Sequence, residues 1–123
     1  MRNRIEICGN IASGKTTLLN QINKELGVTA VYEDFKSNPF WEDFYTSPGE
    51  FVFETEITFT SQHYHAIKTQ LKREIFACDF SMFLDLAYAK IGLSDNKLEI
   101  YDKLFNELLL EINPPKFLIV LNC

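Results

Sequence analysis

Arginine is scarce in this chain of 123 residues: Arg2, Arg4 and Arg73 are the whole supply. Lys and Arg together number 12 against 17 Asp and Glu, for a formal net charge of −5. No run of basic residues interrupts that balance, so neither duplex nucleic acid nor an anionic membrane surface is an expected partner. Cysteine is equally sparse. Cys8, Cys78 and Cys123 are an odd number without paired spacing, as expected of reduced thiols, and no CxxC or Cys/His cluster points to zinc. No apolar run nears the roughly 20 residues needed to span a bilayer, and Glu6 cuts the N-terminal run short of a signal-peptide core. A cytoplasmic location is the expectation. Repeats, low-complexity stretches and Ser/Gly/Pro-rich linkers are missing too, which leaves one domain.

Apolar residues are plentiful. Hydrophobic residues make up 46% and aromatics 14%, with 11 Phe among them, enough for a buried core. Their spacing alternates between strand and helix periods. Ile5, Ile7 and Cys8 form a strand-like run. Leu18, Leu19, Ile22 and Leu26 then share a helical face over 15–26, which Gly27 ends. Residues 29–32 (TAVY) predict a second strand, and residues 39–47 a short helix opened by Pro39. A long helix is expected from Glu50 to Lys72, with a third strand at 75–78. Residues 81–92 are apolar almost all round, which predicts a helix covered on more than one side. Ser94 would cap a last helix striped by Tyr101, Leu104, Phe105, Leu108 and Ile112. The run FLIVL at 117–121 suits a strand buried on both faces, unless it forms an edge. Such alternation predicts a parallel sheet with helices on both faces.

Gly9-Asn10-Ile11-Ala12-Ser13-Gly14-Lys15-Thr16 fits GxxxxGK[ST], placed between a predicted strand and a predicted helix as the motif requires. Backbone N–H groups of Gly9 through Thr17 would cradle phosphates, helped by the positive end of the helix. Lys15 would hold the terminal phosphates, and the Thr16 hydroxyl would face Mg²⁺. Asp79, at the end of the third strand, is a candidate to hold the metal from across the gap, or else to cap the helix that follows. The expected class is a P-loop NTPase fold, a three-layer α/β/α arrangement around a parallel sheet.

These residues together resemble the deoxynucleoside kinase family, which includes deoxyadenosine, deoxyguanosine and deoxycytidine kinases. Its phosphate loop commonly reads IEGNIGxGK[ST]T, against IEICGNIASGKTT here. NPFWEDFY at 38–45 is similar to NPYLxDFY of bacterial members, and DFSMFLDLAYAK at 79–90 is similar to their segment after the third strand. The resemblance covers residues 1–123 as one domain that matches the N-terminal portion of a typical member, truncated before the last strand and lid. It implies transfer of the γ-phosphoryl group of ATP, or another nucleoside triphosphate, to the 5′-hydroxyl of a deoxynucleoside, with Mg²⁺. Glu33, where members carry a Glu-Pro pair and this chain reads Glu33-Asp34, is implied as the general base.

Glu56, Thr60 and His63 fall at i, i+4 and i+7, one polar stripe on the long helix. The resemblance makes Glu56 and His63 counterparts of a base-reading Gln and an Arg; an alternative register puts Glu54 on the base. Trp41, Phe44, Tyr45 and Phe53 are candidates to wall in the base. An ionised Glu only accepts hydrogen bonds. It would suit guanine, whose N1–H and amine are adjacent donors, so a purine preference with deoxyguanosine above deoxycytidine is expected. Departures from the family pattern are clear as well. Phe80 follows Asp79 where members carry Arg, and no Arg occurs after residue 73. An arginine on the transferring group is worth roughly 10³–10⁵ in rate, so residues 1–123 alone are expected to turn over weakly. A nucleotide-binding remnant of the same fold is the alternative. A homodimer through the apolar helix at 81–92 is a further expectation.

Overall fold

The structure, a computed structural model, describes residues 3–10, 13–47, 49–72 and 75–122. Its elements run β1 (Asn3–Gly9), α1 (Lys15–Leu26), β2 (Thr29–Val31), a single 3₁₀ turn (Phe35–Ser37), α2 (Trp41–Thr46), α3 (Val52–Gln70), β3 (Ile75–Cys78), α4 (Met82–Gly92), α5 (Asp95–Ile112) and β4 (Phe117–Leu121). The four strands form one sheet of order β2-β3-β1-β4, parallel throughout.

Alternation along β3 divides the core between the two faces of the sheet. Ala77 points toward α1 and joins Ile7, Leu19 and Val28. Phe76 and Cys78 point the other way and join Ile67 of α3, Met82 and Ala89 of α4, and Tyr101, Phe105 and Ile112 of α5. The chain is therefore three layers deep, with α1 below the sheet and α3, α4 and α5 above it. Cys8 and Cys78 are free thiols. Cys78 is fully buried, and that burial pushes its thiol well above the ordinary range, the state of an inert core residue.

Glu6, which interrupts the opening apolar run, is wholly buried. It lies beneath the N-terminus of α4, accepting from Ser81 Oγ at 2.7 Å and from the Met82 amide at 3.0 Å. Arg4, two residues earlier on the same face, donates through Nε to Glu6 Oε2 at 2.7 Å. The same guanidinium reaches the Ile112 and Asn113 carbonyls at the end of α5. One buried ion pair thus ties β1 to the start of one helix and the end of another. Each nitrogen and each carboxylate oxygen of the pair makes a hydrogen bond, as charges removed from water require. Ser81 also caps α4, accepting from the Phe83 amide at 3.1 Å.

Two local expectations give way to tertiary context. The short helix begins at Trp41 rather than at Pro39, because Asn38 organises the turn before it. The Asn38 side chain accepts from the Phe40 amide at 2.9 Å and donates to the Thr55 carbonyl of α3 at 3.1 Å. Helix α4 is covered on more than one side, by the sheet, α3 and α5, while Tyr88 and Ile91 are exposed where the helix lines a cavity. Strand β4 pairs only with β1 among the described residues, so Phe117, Leu118 and Val120 remain exposed. The edge position, not burial on both faces, is what the sheet shows.

Candidate functional site

All four strands point their C-terminal ends the same way, the end at which α/β sheets hold ligands. A cavity of about 590 Å³ opens there, in the range that encloses a small ligand. One end is the phosphate loop. Gly14 adopts φ +93°, a left-handed conformation that favours glycine, and α1 starts immediately after it. No acidic residue occupies the first turn of α1, so the helix does not neutralise its own positive end. Gly9 approaches its neighbours closely: a Cβ there would lie 2.6 Å from Ser13 Oγ and 3.1 Å from the Leu121 carbonyl oxygen. Lys15 Nζ donates to the Gly9 carbonyl at 2.7 Å, folded over its own loop. Asn10 and Ser13 belong to the described part of the loop and Thr17 lies in α1; Ile11 and Ala12 lie outside the described residues.

Asp79 joins this end to the other. One oxygen accepts from the Thr16 hydroxyl at 2.8 Å, and the other accepts from the backbone N–H of Glu33 at 2.7 Å. A single carboxylate thereby fixes the first turn of α1 against the end of β2. Capping of α4, the other role open to Asp79, falls to Ser81 instead. The pair of Thr16 hydroxyl and Asp79 carboxylate fits Mg²⁺, which takes few protein oxygens and completes its shell with water and phosphate. No group of three His, Cys, Asp or Glu side chains able to hold a metal occurs among the described residues.

The far end is built on His63. Its Nδ1 lies 2.6 Å from Asp85 Oδ2 and its Nε2 lies 2.8 Å from Glu33 Oε2. The ring stacks on Phe80 with centroids 4.3 Å apart. Burial works against a charged ring, but Asp85 and Glu33 outweigh it and push His63 up to about 10. Burial also raises Asp85, with His63 pulling the other way. Glu56, 6% exposed, lines the same wall. Burial first, then the Asp85 charge, raises its carboxyl from 4.5 to about 8, while His63 opposes the shift. That shift runs against the ionised Glu56 on which the guanine argument rests. A protonated carboxyl both donates and accepts.

Trp41, Phe44 and Tyr45, candidates to wall in a base, line the cavity, and Phe35 joins them, its ring 5.0 Å from Trp41. Two expected residues are elsewhere. Phe53 packs against the core between α3 and α5, with Lys97 Nζ 5.6 Å from its ring centroid. Thr60, between Glu56 and His63 on the stripe, is fully buried and bonded to the Tyr101 hydroxyl at 2.6 Å. Both point away because the faces of α3 that carry them pack against the neighbouring helices α4 and α5. Of the two registers, Glu56 rather than Glu54 faces the cavity. Sequence reasoning missed Asp85, Phe59 and Tyr88 as cavity residues. Asp85 carried a readable signal, a carboxylate within an otherwise apolar helix.

A phosphate-loop sheet with an acid at the neighbouring strand end defines the P-loop NTPase fold class. The sequence profile described as deoxynucleoside kinase matches residues 5–123. The chain belongs to the deoxynucleoside kinase family. It is 28% identical over 120 residues to deoxyguanosine kinase of Bacillus subtilis, covering 94% of this chain and 58% of that one. It is 29% identical over 114 residues to deoxyadenosine kinase of Dictyostelium discoideum, covering 85% and 45%. The chain thus spans about half the length of these relatives. Deoxyadenosine kinase from M. mycoides with bound dATP shares the fold at a TM-score of 0.77 and 24% identity, covering 98% of this chain and 65% of that one.

Proposed function

We propose that this chain binds ATP and a deoxynucleoside in its one large described cavity and carries the phosphoryl-transfer centre of a purine-preferring deoxynucleoside kinase, a salvage enzyme. The observation that carries this reading is the double role of Asp79, which links Thr16 of the phosphate loop to Glu33 through its two oxygens. Phosphate donor and acceptor hydroxyl would then meet at one place, as in-line transfer demands. Gly9 through Thr17 would hold the triphosphate, with Lys15 leaving the Gly9 carbonyl for the terminal phosphates. Thr16 and Asp79 would hold Mg²⁺, which supplies neutralising charge to the phosphates. Glu33 would take the proton of the 5′-hydroxyl as that oxygen attacks phosphorus and the bond to the ADP oxygen breaks. Its Oε2 is engaged by His63. Oε1 carries no hydrogen bond among the described residues and is the oxygen left for the substrate. Trp41, Phe44 and Tyr45 would wall the base, with Glu56 and His63 on its edge.

The relatives are deoxyguanosine and deoxyadenosine kinases, which supports purines over pyrimidines. A cytoplasmic location belongs to the same proposal; no described helix is long and apolar enough to cross a membrane. So does a homodimer, although the exposed residues of α4 already face the cavity. A second reading, a nucleotide-binding protein of this fold with impaired catalysis, is favoured by Phe80. That side chain is buried against His63 where the family pattern has an Arg, and Lys15 and His63 are the cations lining the cavity among the described residues. The test is calorimetric titration with ATP·Mg²⁺ followed by a deoxynucleoside. Binding of both, lost for ATP in Lys15→Ala, is expected. Failure of the wild-type protein to bind ATP overturns both readings, and turnover of about 1 s⁻¹ or more removes the second.

A further inference from the structure

Three carboxyl groups surround one imidazole at the inner end of the cavity, and counting charges decides the state of the third. His63 on α3 commits Nδ1 to Asp85 on α4 and Nε2 to Glu33 beyond β2. Glu56, two turns before His63 on α3, is buried with them, and its side chain makes no hydrogen bond among the described residues. The remaining titratable groups that feel it are Tyr88 on α4 and Tyr101 on α5, neither a cation. Lys15, at the other end of the cavity, is bound to the Gly9 carbonyl. No positive charge is left to neutralise a Glu56 carboxylate, and a buried unpaired charge gives way to its neutral form.

We infer that Glu56 meets the nucleobase as a neutral carboxylic acid, a hydroxyl donor beside a carbonyl acceptor. Its proton then decides which bases bind: deoxyadenosine needs it, deoxyguanosine does not. The inference rests on the deoxynucleoside kinase reading of the cavity and deepens it. The chemistry follows from the edges of the bases. Adenine shows an acceptor, N1, beside a donor, its amine, which a neutral acid matches as an amide would. A carboxylate facing N1 puts acceptor against acceptor. Guanine shows an acceptor, O6, then two donors, N1–H and its amine. The neutral acid can use the first pair and the carboxylate the second, so guanine is served in both states.

The proton leaves Glu56 near pH 8, whereas His63 keeps its own to about 10. Glu56 therefore changes state between about pH 6.5 and about pH 9, ahead of His63. The neutral form falls to roughly a tenth at the upper limit, and apparent affinity falls with the competent fraction.

The experiment is calorimetric titration of the protein with deoxyadenosine and deoxyguanosine across that range, for wild type and Glu56→Gln. Carboxyl ¹³C NMR of the ligand-free protein runs alongside. Expected are an approximately tenfold loss of deoxyadenosine affinity with rising pH, a nearly level deoxyguanosine profile, and a Glu56 resonance that titrates well above the ordinary carboxyl range. In Glu56→Gln, whose amide donates and accepts at every pH, the deoxyadenosine profile becomes level. A Glu56 resonance titrating at an ordinary carboxyl value overturns the inference. So does wild-type deoxyadenosine binding that ignores pH, which leaves the kinase reading standing. Absence of any deoxynucleoside binding overturns both.

Discussion

Replacing Glu56 by Gln should stabilise the protein, and by more at pH 7 than at pH 5. The substitution keeps the shape of the side chain and removes its proton equilibrium. In the folded protein, burial first and then Asp85 hold the carboxyl at about 8. In the unfolded chain the same group loses its proton near the ordinary value of about 4.3. The folded state therefore binds more protons between those two values, and stability falls as pH rises through that interval. Each unit costs about 1.4 kcal/mol. By that measure Glu56 costs on the order of 3 kcal/mol at pH 7 and about 1 kcal/mol at pH 5. Gln carries no such cost. Urea melts of both proteins at several pH values measure the gap directly. It should widen from pH 5 to pH 7 by on the order of 2–3 kcal/mol, a Tm difference of roughly 10 °C for a domain of this size. A gap independent of pH, or a Gln variant less stable at every pH, would refute the reasoning.

Two further outcomes test separate parts of the structure. Arg4→Met strands Glu6 in the core without its cation and should cost about 3–5 kcal/mol by chemical denaturation. Adding Glu6→Gln should recover part of that loss, and no recovery would mean that the pair does not act as one unit. Phe53→Leu should lower stability by about 1 kcal/mol, as a core substitution does, and leave deoxynucleoside affinity unchanged in the same titrations. A tenfold loss of affinity without a loss of stability would return Phe53 to the cavity wall.

Local patterns were legible where neighbours in the chain do the work. The helix over Lys15–Leu26 and the strand over Ile75–Cys78 match their predicted bounds, because apolar period and glycine placement are short-range signals. The phosphate loop was readable for the same reason: its glycines, Lys15 and Thr16 are contiguous. Trp41, Phe44 and Tyr45 reach the cavity from one short segment. Phe53 has the same chemistry, but its direction depends on what packs beside α3, and nothing near it in the chain records that.

From the sequence alone came the parallel α/β arrangement, the anion-binding turn and the carboxylates around it, because strand–helix alternation and a contiguous loop carry that information within a few residues. Tertiary structure alone decided the ionisation of Glu56. Glu33, Glu56, His63 and Asp85 come from three separate segments, and only folding shows that one imidazole serves two acids and leaves the third without a partner. Desolvation and charge pairing act through space, so the proton on Glu56 has no signature in residue order.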